Sequence, residues 1–99
     1  MNKKSKIDWL IGKWRYNEAV RPLVFTIEKT ARRFRIQAVD ESDAEVLVVS
    51  KVKWDGKALT FETFTPSNKW RTKNRLTAIS KNQAIHELTF WEHWERIQP

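Results

Sequence analysis

The sequence predicts an all-β protein, an antiparallel up-and-down meander of about seven to eight short strands that forms a barrel or half-barrel. Three observations lead to this prediction. Most of the chain after Gly12 alternates apolar and charged residues with period two, as half-buried strands do. Turn-forming clusters such as Asp55-Gly56 separate these runs at short intervals. No segment shows convincingly the periodicity of a helix of ordinary length.

The elements follow one another closely along the chain. We expect residues 1–6 to be a basic leader and residues 7–99 to form a single β-barrel domain. The apolar run 7–11 predicts one helical turn, and Gly12 then lets the backbone bend sharply because it has no Cβ. Further strands are predicted at 13–16, 23–28, 33–38, 45–54, 59–63, 70–80 and 83–97.

The run from Glu45 to Trp54 is the strongest strand pattern. It places two sets of residues on opposite sides: Val46, Val48, Val52 and Trp54 on one, and Lys51 and Lys53 on the other. Asp55-Gly56 follows directly and predicts a hairpin, since these residues tolerate the positive φ of a type I′ turn.

Composition restricts the protein class. The chain has 99 residues, of which 40% are hydrophobic, so one domain with a modest core is expected. Six tryptophans and five phenylalanines predict a core built on large rings. Without cysteine there are no disulfides or thiolate metal sites. No apolar run is long enough to span a bilayer, and the basic N-terminus does not form a secretory signal. We therefore expect a cytoplasmic protein.

The segment Gly12-Lys13-Trp14, the meander pattern and the terminal Trp94-Glu95-Arg96 together resemble the lipocalin-like, or calycin, superfamily. In that superfamily an arginine of the last strand covers a tryptophan of the first strand. The resemblance implies that residues 7–99 are a lipocalin-like domain, that Trp14 plugs one end of the barrel and that Arg96 covers it. A guanidinium over an indole contributes roughly 0.5–2 kcal/mol.

The resemblance also implies a cup for a small apolar ligand. The candidate lining residues are the apolar side chains expected inside the barrel: Phe25, Phe34, Ile36, Val48, Trp54, Phe61 and Leu76. The alternative is that these bulky rings fill the interior and leave no lumen.

A basic stripe is expected on the outer face. Its members alternate with apolar residues on neighbouring strands: Arg33, Arg35, Lys51, Lys53, Arg71, Lys73 and Arg75. The formal net charge of +7 favours anionic partners. However, Glu62 is expected between Lys53 and Lys73, and Glu28 beside Arg35, so an ion-paired, solvated face is the favoured interpretation over a nucleic-acid or anionic-lipid surface.

The two histidines do not form a shared metal site. His86 and His93 are seven residues apart and fall on opposite faces of one strand. His86 beside Glu92 could act as a general base, but no serine, cysteine or aspartate arrangement completes a nucleophilic centre. We predict no cofactor and no metal, and a surface or lightly buried role for both histidines.

The C-terminal aromatics leave an interface open as a possibility. Adjacent rings at Phe90, Trp91 and Trp94 cannot all enter one core, so Trp91 or Trp94 is expected to be exposed. The alternative is that they cover an open end of the barrel. Residues 83–97 are interpreted as one bent strand, although Phe90, Trp94 and Ile97 also fall at helical spacing.

These patterns favour a non-catalytic binding module for a small apolar ligand or a partner protein, with a homodimer formed through Trp91 or Trp94. Two alternatives remain. One is a binder of polyanions, nucleic acid or anionic lipid, through the basic face, and the other is a small barrel enzyme that uses His86.

Overall fold

A computed structural model describes residues 6–15, 23–31, 33–90, 94 and 96–98. Within them it contains one short helix and seven antiparallel strands in a single sheet whose order follows the chain. The elements are α1 (Lys6–Leu10), β1 (Gly12–Arg15), β2 (Leu23–Lys29), β3 (Phe34–Asp40), β4 (Glu45–Trp54), β5 (Leu59–Thr65), β6 (Trp70–Ser80) and β7 (Gln83–Phe90). The predicted meander and the helical turn before the first strand are confirmed.

The sheet curls into a half-barrel. In a flat sheet β2 and β7 would lie roughly 24 Å apart, because five strand spacings separate them. Instead, the ring centroids of Phe25 on β2 and His86 on β7 are 5.7 Å apart. We call the side on which these two rings meet the concave face, and the opposite side of the sheet the convex face.

The hydrophobic core lies on the concave face and is completed by α1. Its buried members are Ile7, Leu10, Phe25, Ile27, Ile36, Ala38, Leu47, Leu59, Phe61, Leu76 and Ala78. They come from α1 and from strands β2 to β6, because period-two alternation turns every second side chain of a strand to the same side. Each large apolar side chain buried in this way contributes about 1.5–3 kcal/mol.

Trp14 fastens α1 to the first strand. Gly12 has a φ of 134°, a conformation that residues with a Cβ rarely adopt, so the chain turns there from α1 into β1. The half-buried Trp14 then packs against the core, and its indole Nε1 donates a hydrogen bond to the carbonyl oxygen of Leu10 at 2.8 Å. The last residue of the helix is therefore held against the first strand.

A β-bulge interrupts β4. Between Ser50 and Lys53 the register shifts, and two residues of β4 lie opposite Phe61 of β5. Lys51 adopts a φ of 53°, in the left-handed region. The bulge adds one residue to β4 that has no partner on β5.

Because of the extra residue, the side chains of β4 before the bulge point to the faces opposite to those that an unbroken alternation predicts. Leu47 is buried on the concave face, and beyond the bulge Val52 and Trp54 pack against the same core. Val46 and Val48 lie on the convex face, where 53% of Val48 is exposed. The prediction that Val46 and Val48 point inward with Trp54 is wrong, because an unbroken alternation does not include the extra residue.

The hairpin after β4 is confirmed, but its loop is longer than the predicted type I′ turn. Trp54 pairs with Leu59, so the four residues between them form the loop. The Asp55 carboxylate accepts hydrogen bonds from the backbone N–H groups of Ala58 and Lys57, each at 2.8 Å. These two bonds stabilise the ionised form and hold the pKa of Asp55 below its usual value.

The last strand is shorter than predicted. β7 ends at Phe90, and the described residues beyond it, Trp94 and 96–98, have no strand or helix structure. The prediction of one strand over residues 83–97 is therefore wrong at Trp94 and at 96–97, and its part over 91–93 and 95 lies outside the described residues.

Candidate ligand site on the concave face

Polar residues occupy the middle of the concave face, where the core would otherwise be apolar. Thr63 on β5 and Thr72 on β6 are direct cross-strand partners, and both are buried. Two residues further along β6, Asn74 is only 3% exposed. His86 on β7 is half-buried beside them. Strand alternation thus directs four hydrogen-bonding side chains inward from three neighbouring strands.

These four side chains form one hydrogen-bonded chain, which we call the polar chain. The hydroxyls of Thr63 and Thr72 share a hydrogen bond. The Asn74 amide nitrogen donates to the Thr72 hydroxyl at 2.9 Å, so its amide oxygen is the acceptor for His86 Nε2 at 2.8 Å. No buried polar side-chain atom lacks a partner within the described part of the chain. Burial of these groups is therefore compensated.

Phe25 is the apolar counterpart of the polar chain. Its ring packs edge-on against His86 and against Phe61, with a centroid distance of 5.7 Å in both pairs. The contact between Phe25 and His86 crosses the half-barrel from β2 to β7. It separates two clefts that open on the concave face, and both residues line each of them.

The Trp14 cleft lies on one side of this contact and has a volume of about 390 Å³. Its walls combine apolar side chains with a few polar ones: Trp14, Arg15, Phe25, Leu76, Ile79, Asn82, Gln83, Ala84 and His86. This volume lies at the lower end of the range of small-molecule sites, roughly 300–1,000 Å³.

The Thr63 cleft lies on the other side and has a volume of about 230 Å³. It is lined by the whole polar chain and by apolar residues that include Leu23, Leu47 and Leu88. At its rim the rings of Trp70 and Phe90 stack with centroids 5.2 Å apart. A small molecule here would meet apolar walls on one side and hydrogen-bonding groups on the other.

The structure places the predicted lining residues in two groups. Phe25 and Leu76 line the clefts on the concave face, as described above. The others, apart from the outward Val48, form or pack against the core cluster instead: Phe34, Ile36, Trp54 and Phe61. Most of the predicted lumen is thus filled by its own side chains, and the space that remains is nearer to β6 and β7.

Sequence reasoning missed Asn74, the centre of the polar chain. A signal was available, because Asn74 occupies an inward position between Thr72 and Leu76 in a cleanly alternating strand. An amide at such a position needs buried partners. From the sequence, His86 is paired as a general base with Glu92, which lies outside the described residues, so that pairing stays a prediction.

Phe90, Trp94 and Arg96 near the C-terminus are all exposed. Arg96 follows β7 and is exposed, and the contact of its guanidinium over the Trp14 indole stays a prediction. Trp94 is 87% exposed and Phe90 stacks on Trp70, whereas Trp91 lies outside the described residues. A homodimer through Trp91 or Trp94 likewise stays a prediction.

All seven predicted basic residues are exposed, and six of them lie on strands β3, β4 and β6. Glu28 on β2 lies directly opposite Arg35 on β3, and the guanidinium of Arg71 lies 5.5 Å from the centre of the Phe64 ring. Lys51 Nζ lies 3.3 Å from the Glu62 carboxylate, so Glu62 is paired with Lys51 rather than with Lys53. The basic face therefore contains opposite charges, as predicted.

Four of these cations line one depression, which we call the lysine cleft. It has a volume of about 410 Å³ beside the bulge of β4. Its charged lining residues are Lys51, Lys53, Lys73, Arg75, Glu62 and Glu87. The cations come from β4 and β6, which flank β5.

Within the described ranges, no group of three or more histidine, cysteine, aspartate or glutamate side chains is placed to hold a metal ion. None of the helical residues that the structure describes forms a segment long and apolar enough to cross a membrane.

A comparison of the chain with protein-family models, with curated proteins and with solved structures finds no match. The small antiparallel half-barrel is consistent with a lipocalin-like fold.

Proposed function

We propose that this protein is a non-catalytic binding module that holds a small, largely apolar molecule on its concave face. The observation that carries the proposal is the meeting of the Trp14 cleft and the Thr63 cleft at the Phe25–His86 contact. A ligand in either cleft would contact these two rings.

The chemistry of the walls supports this ligand class. Apolar side chains form most of both clefts, and the polar groups converge on one short hydrogen-bonded chain. Small-molecule sites commonly combine an apolar lining with a few fixed polar groups. Since Asn74 is already held by Thr72 and His86, the polar chain is preorganised, and a ligand would not have to order it.

The same features support a place among lipocalin-like proteins. The curled meander, Gly12 at the start of the first strand and the half-buried Trp14 match the pattern from which the resemblance was drawn. On this proposal the protein is a short half-barrel member of the lipocalin-like superfamily, and its concave face serves as the ligand-binding cup.

A fluorescent dye that responds to apolar cavities tests the proposal. We expect saturable binding of N-phenyl-1-naphthylamine, a neutral dye, to the purified protein, and weaker binding to Ile79→Ser. Ile79 lines the Trp14 cleft and is 53% exposed, so the substitution removes an apolar wall with little effect on the core.

Ile85→Ser is the matched control. Ile85 lies on the neighbouring strand with a similar exposure of 49%, but it lines neither cleft on the concave face. We expect this variant to bind the dye like the unsubstituted protein. Equal losses in the two variants would show that the dye senses exposed apolar surface, and an absence of saturable binding would overturn the proposal.

A further inference from the structure

We propose that the convex face carries a second site, for the phosphate groups of a small phosphorylated molecule. The site is the lysine cleft, in which Lys51, Lys53, Lys73 and Arg75 surround a space of about 410 Å³. A depression of this size can hold a small molecule, and its lining has an excess of positive charge.

The backbone of Lys51 is the first argument for a binding role. Its φ of 53° is unfavourable for a residue with a Cβ, and glycine is the usual residue at a left-handed bulge position. A lysine there keeps a strained backbone that glycine would relieve. Strained backbone conformations are concentrated at ligand sites, where the surrounding structure holds them in place.

Glu62 is the second argument, because it orients Lys51 over the cleft. The Glu62 side chain is only 12% exposed, and its carboxylate lies 3.3 Å from the Lys51 ammonium. An ammonium carries three N–H donors, so this contact leaves donor capacity for an anion. The Lys51 side chain remains 74% exposed, and an incoming anion can therefore reach it.

The arrangement of the cations favours phosphate over a single carboxylate. Several positive side chains approach one space from β4 and β6, and a phosphate group offers more acceptor oxygens and more charge to share among them. Arg75 can bind two phosphate oxygens with its guanidinium fork, while each lysine provides a point charge.

The surroundings favour a small molecule over a nucleic-acid strand. Strand binding uses exposed aromatic rings on which bases stack. On this face the ring of Phe64 is covered by the Arg71 guanidinium, and Phe61 in the cleft is buried. Among the residues that the structure describes, the lysine cleft thus provides charge without a stacking surface.

Titration with inorganic pyrophosphate at low salt tests the site, with calorimetry for affinity and amide NMR shifts for location. We expect saturable binding, with shifts concentrated around the lysine cleft. Lys51→Gly should weaken binding about tenfold, since it removes one charge-assisted contact. The same variant should melt at the same or a higher temperature, because glycine relieves the strained backbone.

Lys69→Gly is the matched control. Lys69 also has a left-handed φ, 61°, and it is exposed, but it lies in the turn before β6 and does not line the cleft. It should leave pyrophosphate affinity within about twofold of the unsubstituted protein, as a distant surface charge does. Lys53→Gln provides a second lining variant that leaves the left-handed residue in place, and it should also weaken binding.

Three results would overturn the inference. Equal losses in Lys51→Gly and Lys69→Gly would show that only net charge matters. An absence of saturable pyrophosphate binding would remove the site. Tight, steeply salt-dependent binding of a single-stranded oligonucleotide without pyrophosphate binding would indicate a nucleic-acid surface instead.

Discussion

The concave and convex faces of the same three strands, β4 to β6, use polar residues in opposite ways. On the concave face Thr63, Thr72 and Asn74 are buried, and each has hydrogen-bond partners at fixed positions. On the convex face lysines and arginines extend into solvent, and the cleft that they line is open.

This difference shows that buried polar residues contribute mainly to stability, whereas exposed charged residues remain available for binding. A buried amide that loses its partner destabilises the fold by the full cost of desolvation, about 1–3 kcal/mol. An exposed ion pair contributes about 0–1 kcal/mol, so its members can change partners when a ligand arrives. We therefore expect the concave face to be stable and preorganised, and the convex cations to be replaceable without loss of the fold.

The largest expected effect tests which side chains of β4 point into the core before the bulge. Leu47→Ala should lower the free energy of unfolding by about 2–5 kcal/mol, because Leu47 is buried in the core. Val48→Ala, one residue further on the convex face, should change it by less than about 1 kcal/mol. Urea denaturation measures both values. A larger loss of stability for Val48→Ala than for Leu47→Ala would indicate that Val48 faces the core, as an unbroken alternation predicts, and would contradict the bulge.

A smaller effect tests the polar chain against its convex neighbour. Asn74→Ala should lower the free energy of unfolding by about 1–3 kcal/mol, since it removes the buried amide that donates to the Thr72 hydroxyl and accepts from His86 Nε2. Lys73→Ala on the convex face is the control, with an expected change of about 0–1 kcal/mol. Similar losses in the two variants would mean that Asn74 is not a buried structural group.

The smallest effect concerns the loop after β4 and depends on pH. The pKa of Asp55 is below its usual value in the folded state, because the N–H groups of Ala58 and Lys57 bind its carboxylate. Its contribution to stability is therefore present above the unfolded pKa of about 3.9 and is lost as the pH falls through the lower folded pKa.

We expect Asp55→Ala to melt below the unsubstituted protein at pH 7, with a difference that narrows as the pH falls below about 4. Thermal melts over a pH series measure this difference. A gap that stays constant down to the lowest pH would show that the ionised carboxylate does not hold the loop.

Much of the fold could be predicted from alternation and turn residues. The meander, the hairpin after Trp54 and the helical turn before Gly12 follow from local sequence, because period-two patterns and turn preferences are local properties. The bulge could not be predicted, since a lysine at Lys51 gives no sign of a left-handed backbone, which usually requires glycine.

The candidate site was harder to predict than the fold. Phe25 and Leu76 were expected to face inward, but the sequence does not show how far the sheet curls. That curvature brings Phe25 of β2 to His86 of β7 and leaves clefts on both sides of the contact. Contacts between strands far apart in the sheet depend on its three-dimensional shape, which residue spacing does not contain.

Side-chain and amide NMR during a titration with the apolar dye tests the central claim most directly. On our account the signals of Phe25 and His86 shift together and saturate, while those of Lys51 and Lys73 stay unchanged. Saturable shifts at the lysine cleft without any at Phe25 or His86, or no saturable shifts at all, would contradict a ligand site on the concave face.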